Sequence, residues 1–352
     1  MSKFPDFDGL VDWDKFEAWM ADEPGIPGAG PLTAVSRIDG GSQNNLFRLE
    51  RADEVMVLRR PPKHLRKNSN NTMVREATLL GALRGTAVPH ARLYGACADQ
   101  SVIGASFYVM QPLDGFSPKG QLPGRYGEDA AWRRAMGERY IEAGAALANV
   151  DYEAVGLGGY GKPDNWHERQ VERWRSQLES YREFDGYEPE TLPQAERIGR
   201  WLDDNLPSYR RIGVIHGDFQ FPNVMYRHDQ PVIAGLIDWE LSTLGDPMID
   251  LGWLLSSWIE PHDPPGRDPV VTPWNGFLTR AELVSAYGQL TGRNMSELPW
   301  FFTLACYKLA CLLEGTYARS LVGQAPTDTG QRFHRIVAWL FNKAEQIMAT
   351  GA

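Results

Sequence analysis

A chain of 352 residues with 43% hydrophobic content has enough apolar sequence to bury a full core, which excludes the intrinsically disordered class. Its formal net charge of −9 argues against nucleic acid as a partner, since non-specific phosphate-backbone binding needs a broad Lys/Arg field, yet it leaves room for a local basic cleft. Cys97, Cys306 and Cys311 show no C-x-x-C spacing, so buried thiols in a reducing compartment are expected rather than a zinc or redox site.

The first residues, MSKFPDFDGLVDWDKFEAWM, are acidic and interrupted by charges, without the basic and unbroken apolar regions of a secretion signal. The longest apolar run, Phe301 to Leu313, is cut by Lys308 and falls short of the roughly 18 residues that a membrane span needs. The cytoplasm is the expected location, with no membrane partner. An amphipathic helix is predicted around Trp13 to Met20, and a Gly/Pro stretch then leads into strands at Leu32 to Ile38 and Leu46 to Glu50, flanking the turn GGSQNN. A third strand, Val55 to Arg60, is stopped by Pro61 and Pro62. A helix near Thr72 to Arg84 follows from the spacing of Val74, Ala77, Leu80 and Leu83, and two more strands fit near Ala91 to Cys97 and Ala105 to Met110.

Beyond Gln111 and Pro112 the pattern becomes helical, over Trp132 to Ala148, Trp166 to Tyr181, Glu196 to Asn205, Arg280 to Gln289, Trp300 to Arg319 and Thr329 to Met348. A hairpin of Val224 to Tyr226 and Val232 to Ile237 interrupts it, and Pro261 to Pro273 is a Pro/Asp-rich loop expected to be mobile. The expected class is therefore α+β. A sheet-and-helix lobe spans residues 1–111, and a mainly helical lobe spans residues 112–352.

The chemistry concentrates between Val214 and Leu251, where HGDFQFPN supplies H-x-D-x-x-x-x-N, a hairpin follows, and Asp238 ends an apolar strand. Kinase catalytic loops use this logic, with one Asp as base, an Asn five residues on for Mg²⁺, and a second metal-binding Asp after the hairpin. Phosphoryl transfer asks for positioning and charge neutralisation, so one carboxylate must face the acceptor hydroxyl while other oxygens hold Mg²⁺ on the phosphates. A loop lets Asp218 and Asn223 converge, and the hairpin returns Asp238 beside them. Mg²⁺ prefers hard oxygen ligands and few protein contacts, which suits Asn223 and Asp238.

HGDFQFPN resembles the H-G-D-x-x-x-x-N signature of aminoglycoside phosphotransferases, choline kinases and their relatives, and LIDWE followed by GDPMIDL resembles that family's counterpart of the kinase D-F-G region. The resemblance implies a bilobal, protein-kinase-like fold and an ATP- and Mg²⁺-dependent kinase acting on a small-molecule hydroxyl. By position it assigns the base to Asp218, the metal ligands to Asn223 and Asp238, a bracing role to His216, and an anchor for the loop backbone to Asp250. The other reading of Asp250 is an N-cap for the apolar helix after it.

On the nucleotide side, Gly41 and Ser42 of GGSQNN are small enough to let backbone N–H groups approach phosphates, although an ordinary hairpin turn would look the same. In VMVLRR, the period of two places Val57 and Arg59 on one face and Leu58 and Arg60 on the other, and the kinase V-A-I-K pattern puts Arg59 at the phosphate-binding cation. Arg in place of Lys keeps the charge and adds bidentate geometry. Arg60→Ala is accordingly expected to do little. Glu76 is expected to pair with Arg59, or else to be an exposed helix residue.

Phe107 to Leu113 resembles the hinge whose backbone reads adenine, which points to Met110, Gln111 and Leu113. LRRPP and YKLACLLEGTYARSLVGQA are similar to the kinase-like region of certain acyl-CoA dehydrogenases, and Tyr307, Glu314, Tyr317 and Arg319 of the latter are candidates for an acceptor pocket. A nucleotide-binding pseudokinase is the competing reading, motivated by Arg59. A protein kinase lacks room here for an activation segment ending in A-P-E, and no G-x-S-x-G elbow supports a serine hydrolase. Acceptor identity and oligomeric state are written in no motif.

Overall fold

The computed structural model describes residues 4–38 and 44–351. Asp12 caps helix α1 (Trp13–Asp22) by accepting from the Lys15 amide, and Trp13, Phe16 and Met20 form its buried face. That face covers the outer side of an antiparallel sheet of β1 (Ala34–Ile38), β2 (Asn45–Arg51), β3 (Glu54–Arg60), β4 (Leu93–Cys97) and β5 (Phe107–Met110), in the order β1-β2-β3-β5-β4. Strand alternation separates the two sides. Phe47 and Leu49 of β2 join Trp13 and Phe16 in the outer core, while Leu46 and Arg48 line the cleft. Helix α2 (Ser69–Ala82) packs on β4 and β5 and buries Met73, Glu76, Ala77, Leu79 and Leu80.

After β5 the chain is mainly helical, with α3 (Gly124–Glu128), α4 (Ala130–Ala148), α5 (Glu168–Ser180), α6 (Pro193–Asp204), α7 (Met248–Ser257), α8 (Arg280–Thr291), α9 (Leu298–Leu321) and α10 (Thr327–Thr350). Three small ribbons join them. β6 (Gly120–Gln121) runs parallel to β11 (Val271–Thr272), β7 (Gly213–Ile215) antiparallel to β10 (Thr243–Gly245), and β8 (Val224–Tyr226) antiparallel to β9 (Ile233–Leu236). The apolar helix α9 is the axis of this lobe, flanked by α7 and α10. A Cβ on Gly252 would lie 2.6 Å from the Phe301 carbonyl oxygen, so glycine there lets α7 and α9 approach closely.

The fold is bilobal and kinase-like, as expected, and the predicted elements appear with shifted ends. Helix α7 begins at Met248, which puts Asp250 inside the first turn instead of at the N-cap. The ribbons formed by β6, β7, β10 and β11 were not expected, because two- and three-residue strands carry no readable period. The Pro/Asp-rich loop is held by ion pairs where mobility was expected. Its Asp263, 3% exposed, faces Arg280 and stands 3.2 Å from the Lys343 ammonium. All three cysteines are buried free thiols, and among the described residues no helix is long and apolar enough to cross a membrane.

Arg60 corrects an expectation. It does face away from the cleft, but it is only 4% exposed, and its guanidinium donates to the Leu10 carbonyl, tying β3 to the segment before α1. Removing it strands a buried acceptor, so Arg60→Ala should cost about 1–3 kcal/mol and lower Tm by a few degrees in a thermal melt, with nucleotide affinity unchanged.

Candidate active site

A cleft of about 580 Å³ lies between the sheet and the β8–β9 hairpin, lined by Arg59, Met110, Gln111, Leu113, Asn223 and Asp238 among others. Its upper wall is built by strand register. β3 pairs with β5 so that Arg59 lies opposite Tyr108, and paired residues share a face. Glu76 reaches the same point from α2, 1% exposed, with its Oε2 3.0 Å from Arg59 Nε and accepting from the Tyr108 hydroxyl at 2.7 Å. Burial pushes the Glu76 carboxyl up, and Arg59 opposes that shift. Arg59 Nη2 also stands 3.5 Å from Asp238 Oδ1, so one guanidinium joins the sheet, α2 and the lower lobe. A second link is Arg75, which donates from α2 to the carbonyls of Tyr160 at 2.7 Å and Ser242 at 3.0 Å.

The lower wall is a loop after β7. Asp250, 6% exposed, accepts from the backbone amides of His216 at 2.6 Å and Gly217 at 3.0 Å, and burial pushes its carboxyl up against the pull of His216 and these amides. His216 is fully buried and its Nε2 lies 3.0 Å from the Ile237 carbonyl. A carbonyl only accepts, so Nε2 carries the proton. Gly217 turns the loop at φ +82°, and a Cβ there would stand 2.3 Å from the Leu241 carbonyl oxygen.

Asp218 follows this turn with its carboxylate already oriented. Trp253 Nε1 donates to Oδ1 at 2.9 Å, while Asn223 Nδ2 at 2.8 Å and Gln220 Nε2 at 2.9 Å donate to Oδ2. A carboxylate offers about four lone-pair directions, and these three donors leave the remaining one on Oδ1.

Asn223 and Asp238 come together through the hairpin, whose Ile237 amide donates to the Asn223 carbonyl at 2.9 Å. Asp238 sits in the left-handed region, φ 65° and ψ 61°, a strained choice for a non-glycine residue. With the Asn223 nitrogen committed to Asp218, its amide oxygen is the atom left to give. Among the described residues no cluster of three or more His, Cys, Asp or Glu forms a metal cage. Two hard oxygens fit a cation that takes its other ligands from phosphates and water, as Mg²⁺ does. Burial, and after it Asp238, pushes the nearby Glu240 carboxyl up to about 7, against the pull of Arg59.

Residues 34–284 match the model of the phosphotransferase enzyme family. The chain belongs to that family. It is 30% identical over 350 residues to mouse acyl-CoA dehydrogenase family member 10, which covers 95% of this chain and 31% of that protein, so the chain spans about a third of that relative's length. A crystal structure from Ralstonia eutropha, described as an aminoglycoside phosphotransferase, superposes with a TM-score of 0.80 at 31% identity, over 95% of this chain and 98% of that one. Choline kinase from Cryptosporidium parvum, at 11% identity and TM-score 0.59 over 97% of each chain, shows the same fold.

Within this phosphotransferase fold, Arg59, Glu76 and Asp238 form one ion cluster, Asp218 and Asn223 are hydrogen-bonded, and Met110, Gln111 and Leu113 line the cleft. Gly41 and Ser42 lie outside the described residues. The four candidates for an acceptor pocket do not line the cleft. Tyr307 is buried against Phe341, Glu314 pairs with His334, Tyr317 stacks on His334, and Arg319 bonds Thr316.

Sequence reasoning missed Tyr108, Gln220, Trp253, Lys308 and Asp246. Trp253 was readable, because it lies three residues beyond Asp250 on the same helix face. Asp246, fully buried, accepts from His167 Nε2 at 2.9 Å and Arg293 Nη2 at 2.8 Å, and no local pattern brings those three together. The Gly217 geometry has a direct consequence. Gly217→Ala should destabilise the protein by about 1–3 kcal/mol, seen as a lowered Tm, and displace Asp218 enough to remove activity.

Proposed function

We propose that this chain is an ATP-dependent kinase that transfers the γ-phosphoryl group to a hydroxyl of a small molecule. The observation that carries the reading is Asp218. Its carboxylate is fixed by three donors with one Oδ1 lone pair left over, beside an oxygen pair and a cation suited to a magnesium-bound triphosphate. Family membership and the phosphotransferase and choline kinase neighbours support it. Those neighbours share a fold across different acceptors, so the fold does not choose among aminoglycoside-, amino alcohol- and hydroxyacyl-like molecules.

In this reading the backbone of Met110 to Leu113 holds the adenine, and Arg59, held on Glu76, binds phosphate oxygens. Asn223 and Asp238 would hold Mg²⁺, which neutralises charge on the transferring group when bound. Asp218 Oδ1 takes the proton of the acceptor hydroxyl as that oxygen bonds to the γ-phosphorus, and the bond to the β-phosphate oxygen breaks with its electron pair leaving on ADP. His216 and Asp250 keep the loop from moving during the step.

A screen of hydroxylated metabolites with ATP and Mg²⁺ should show acceptor-dependent ADP release. Asp218→Asn should lower kcat by about 10²-fold or more with ATP binding retained. Arg59→Ala should raise the KM for ATP about tenfold and lower turnover, whereas Arg60→Ala changes neither. Equal ADP release by wild type and Asp218→Asn would leave a nucleotide-binding module in place of an enzyme.

A further inference from the structure

Lys308 interrupts the apolar run of α9, and the structure buries it. It is 8% exposed, and among the described residues no carboxylate lies within ion-pair distance of its ammonium. An ammonium without an adjacent counter-ion is a poor choice for a helical core, since its desolvation is only partly offset. Burial lowers its pKa to about 8, with Asp250 and Asp218 acting against that shift and Arg173 adding to it. Packing alone would be served as well by methionine.

Its ammonium meets the candidate catalytic loop and two indoles. Nζ donates to the Gly217 carbonyl at 2.7 Å, immediately before Asp218. It lies 4.3 Å from the centroid of the Trp253 ring and 5.7 Å from that of Trp174. The Trp253 ring that faces the cation is the one whose N–H donates to Asp218 Oδ1. A cation on an indole face attracts its π-electrons and leaves the N–H a better donor. Lys308 therefore acts on Asp218 twice, through the backbone before it and through the donor that orients the oxygen with the free lone pair.

We propose that Lys308 is a positioning residue for phosphoryl transfer, which, together with Trp253, aims Asp218 Oδ1 at the acceptor hydroxyl. This rests on Asp218 being the base. Lys308 takes no part in the bonds made and broken: the acceptor proton still passes to Asp218, and ADP still leaves with the electron pair.

The test measures ADP release from ATP and Mg²⁺ by the full chain, with water as the acceptor so that no identified substrate is needed. Each variant is also measured for ATP KM and Tm. Lys308→Met removes a desolvated charge but strands the Gly217 carbonyl, so it should lower kcat at least tenfold, leave the ATP KM within twofold, and shift Tm by no more than a few degrees. Trp253→Phe keeps the ring and removes only the N–H, and it should give a similar loss. The double variant should lose less than the product of the two single losses, since both act through the same carboxylate. A full-speed Lys308→Met, multiplicative losses in the double variant, or a fall in Tm without a fall in kcat would overturn the role of Lys308 alone. Should Lys308→Met fail to fold, a full-speed Trp253→Phe overturns the proposal by itself. Wild type no faster than Asp218→Asn would instead overturn the phosphotransferase reading and this role with it.

Discussion

The site depends on one buried carboxylate reading two consecutive amides. Asp250 is held inside the first turn of α7 and fixes the backbone of His216 and Gly217, so the direction in which Asp218 leaves the loop is set from within the helical core. Burial opposes ionisation of Asp250, while two N–H donors favour it. The same helix face carries Trp253 one turn on, so α7 positions both the loop that bears Asp218 and the donor that turns its carboxylate.

A second constraint closes the cleft from above. Glu76, itself bonded by Tyr108, holds Arg59 on the cleft face of the central strand, and Arg59 in turn approaches Asp238. The upper and lower walls thus meet through a guanidinium that stays charged at any working pH. Arg75, the residue next to Glu76, binds two carbonyls of the lower lobe and fixes where α2 sits. The strained backbone of Asp238 belongs to the same design, because the left-handed turn ends β9 and sends the chain back toward β10 with its carboxylate at the cleft.

Much of this was legible in the sequence because it is local. The spacing of Asp218 and Asn223, the hairpin that returns Asp238, and the strand period that separates Arg59 from Arg60 each involve a short stretch of chain. What was not legible depends on which strands and helices become neighbours. Tyr108 lies beside Arg59 only through the β3–β5 register, Asp246 meets His167 and Arg293 across three separate segments, and Lys308 reads only as a break in an apolar run until α9 is placed under the candidate catalytic loop. Arg60 shows the same limit from the other side. Its direction followed from the period of two, but its partner at Leu10 did not.

The central claim is that Asn223 and Asp238 form one metal-binding pair next to Asp218. Crystals grown with Mn²⁺ in place of Mg²⁺ and a non-hydrolysable ATP analogue would test it directly by anomalous diffraction. The account predicts a peak bonded to the Asn223 amide oxygen and the Asp238 carboxylate, with Asp218 Oδ1 free to face an acceptor. A peak coordinated elsewhere, or an Asp218 whose two oxygens both bind the metal, would contradict it.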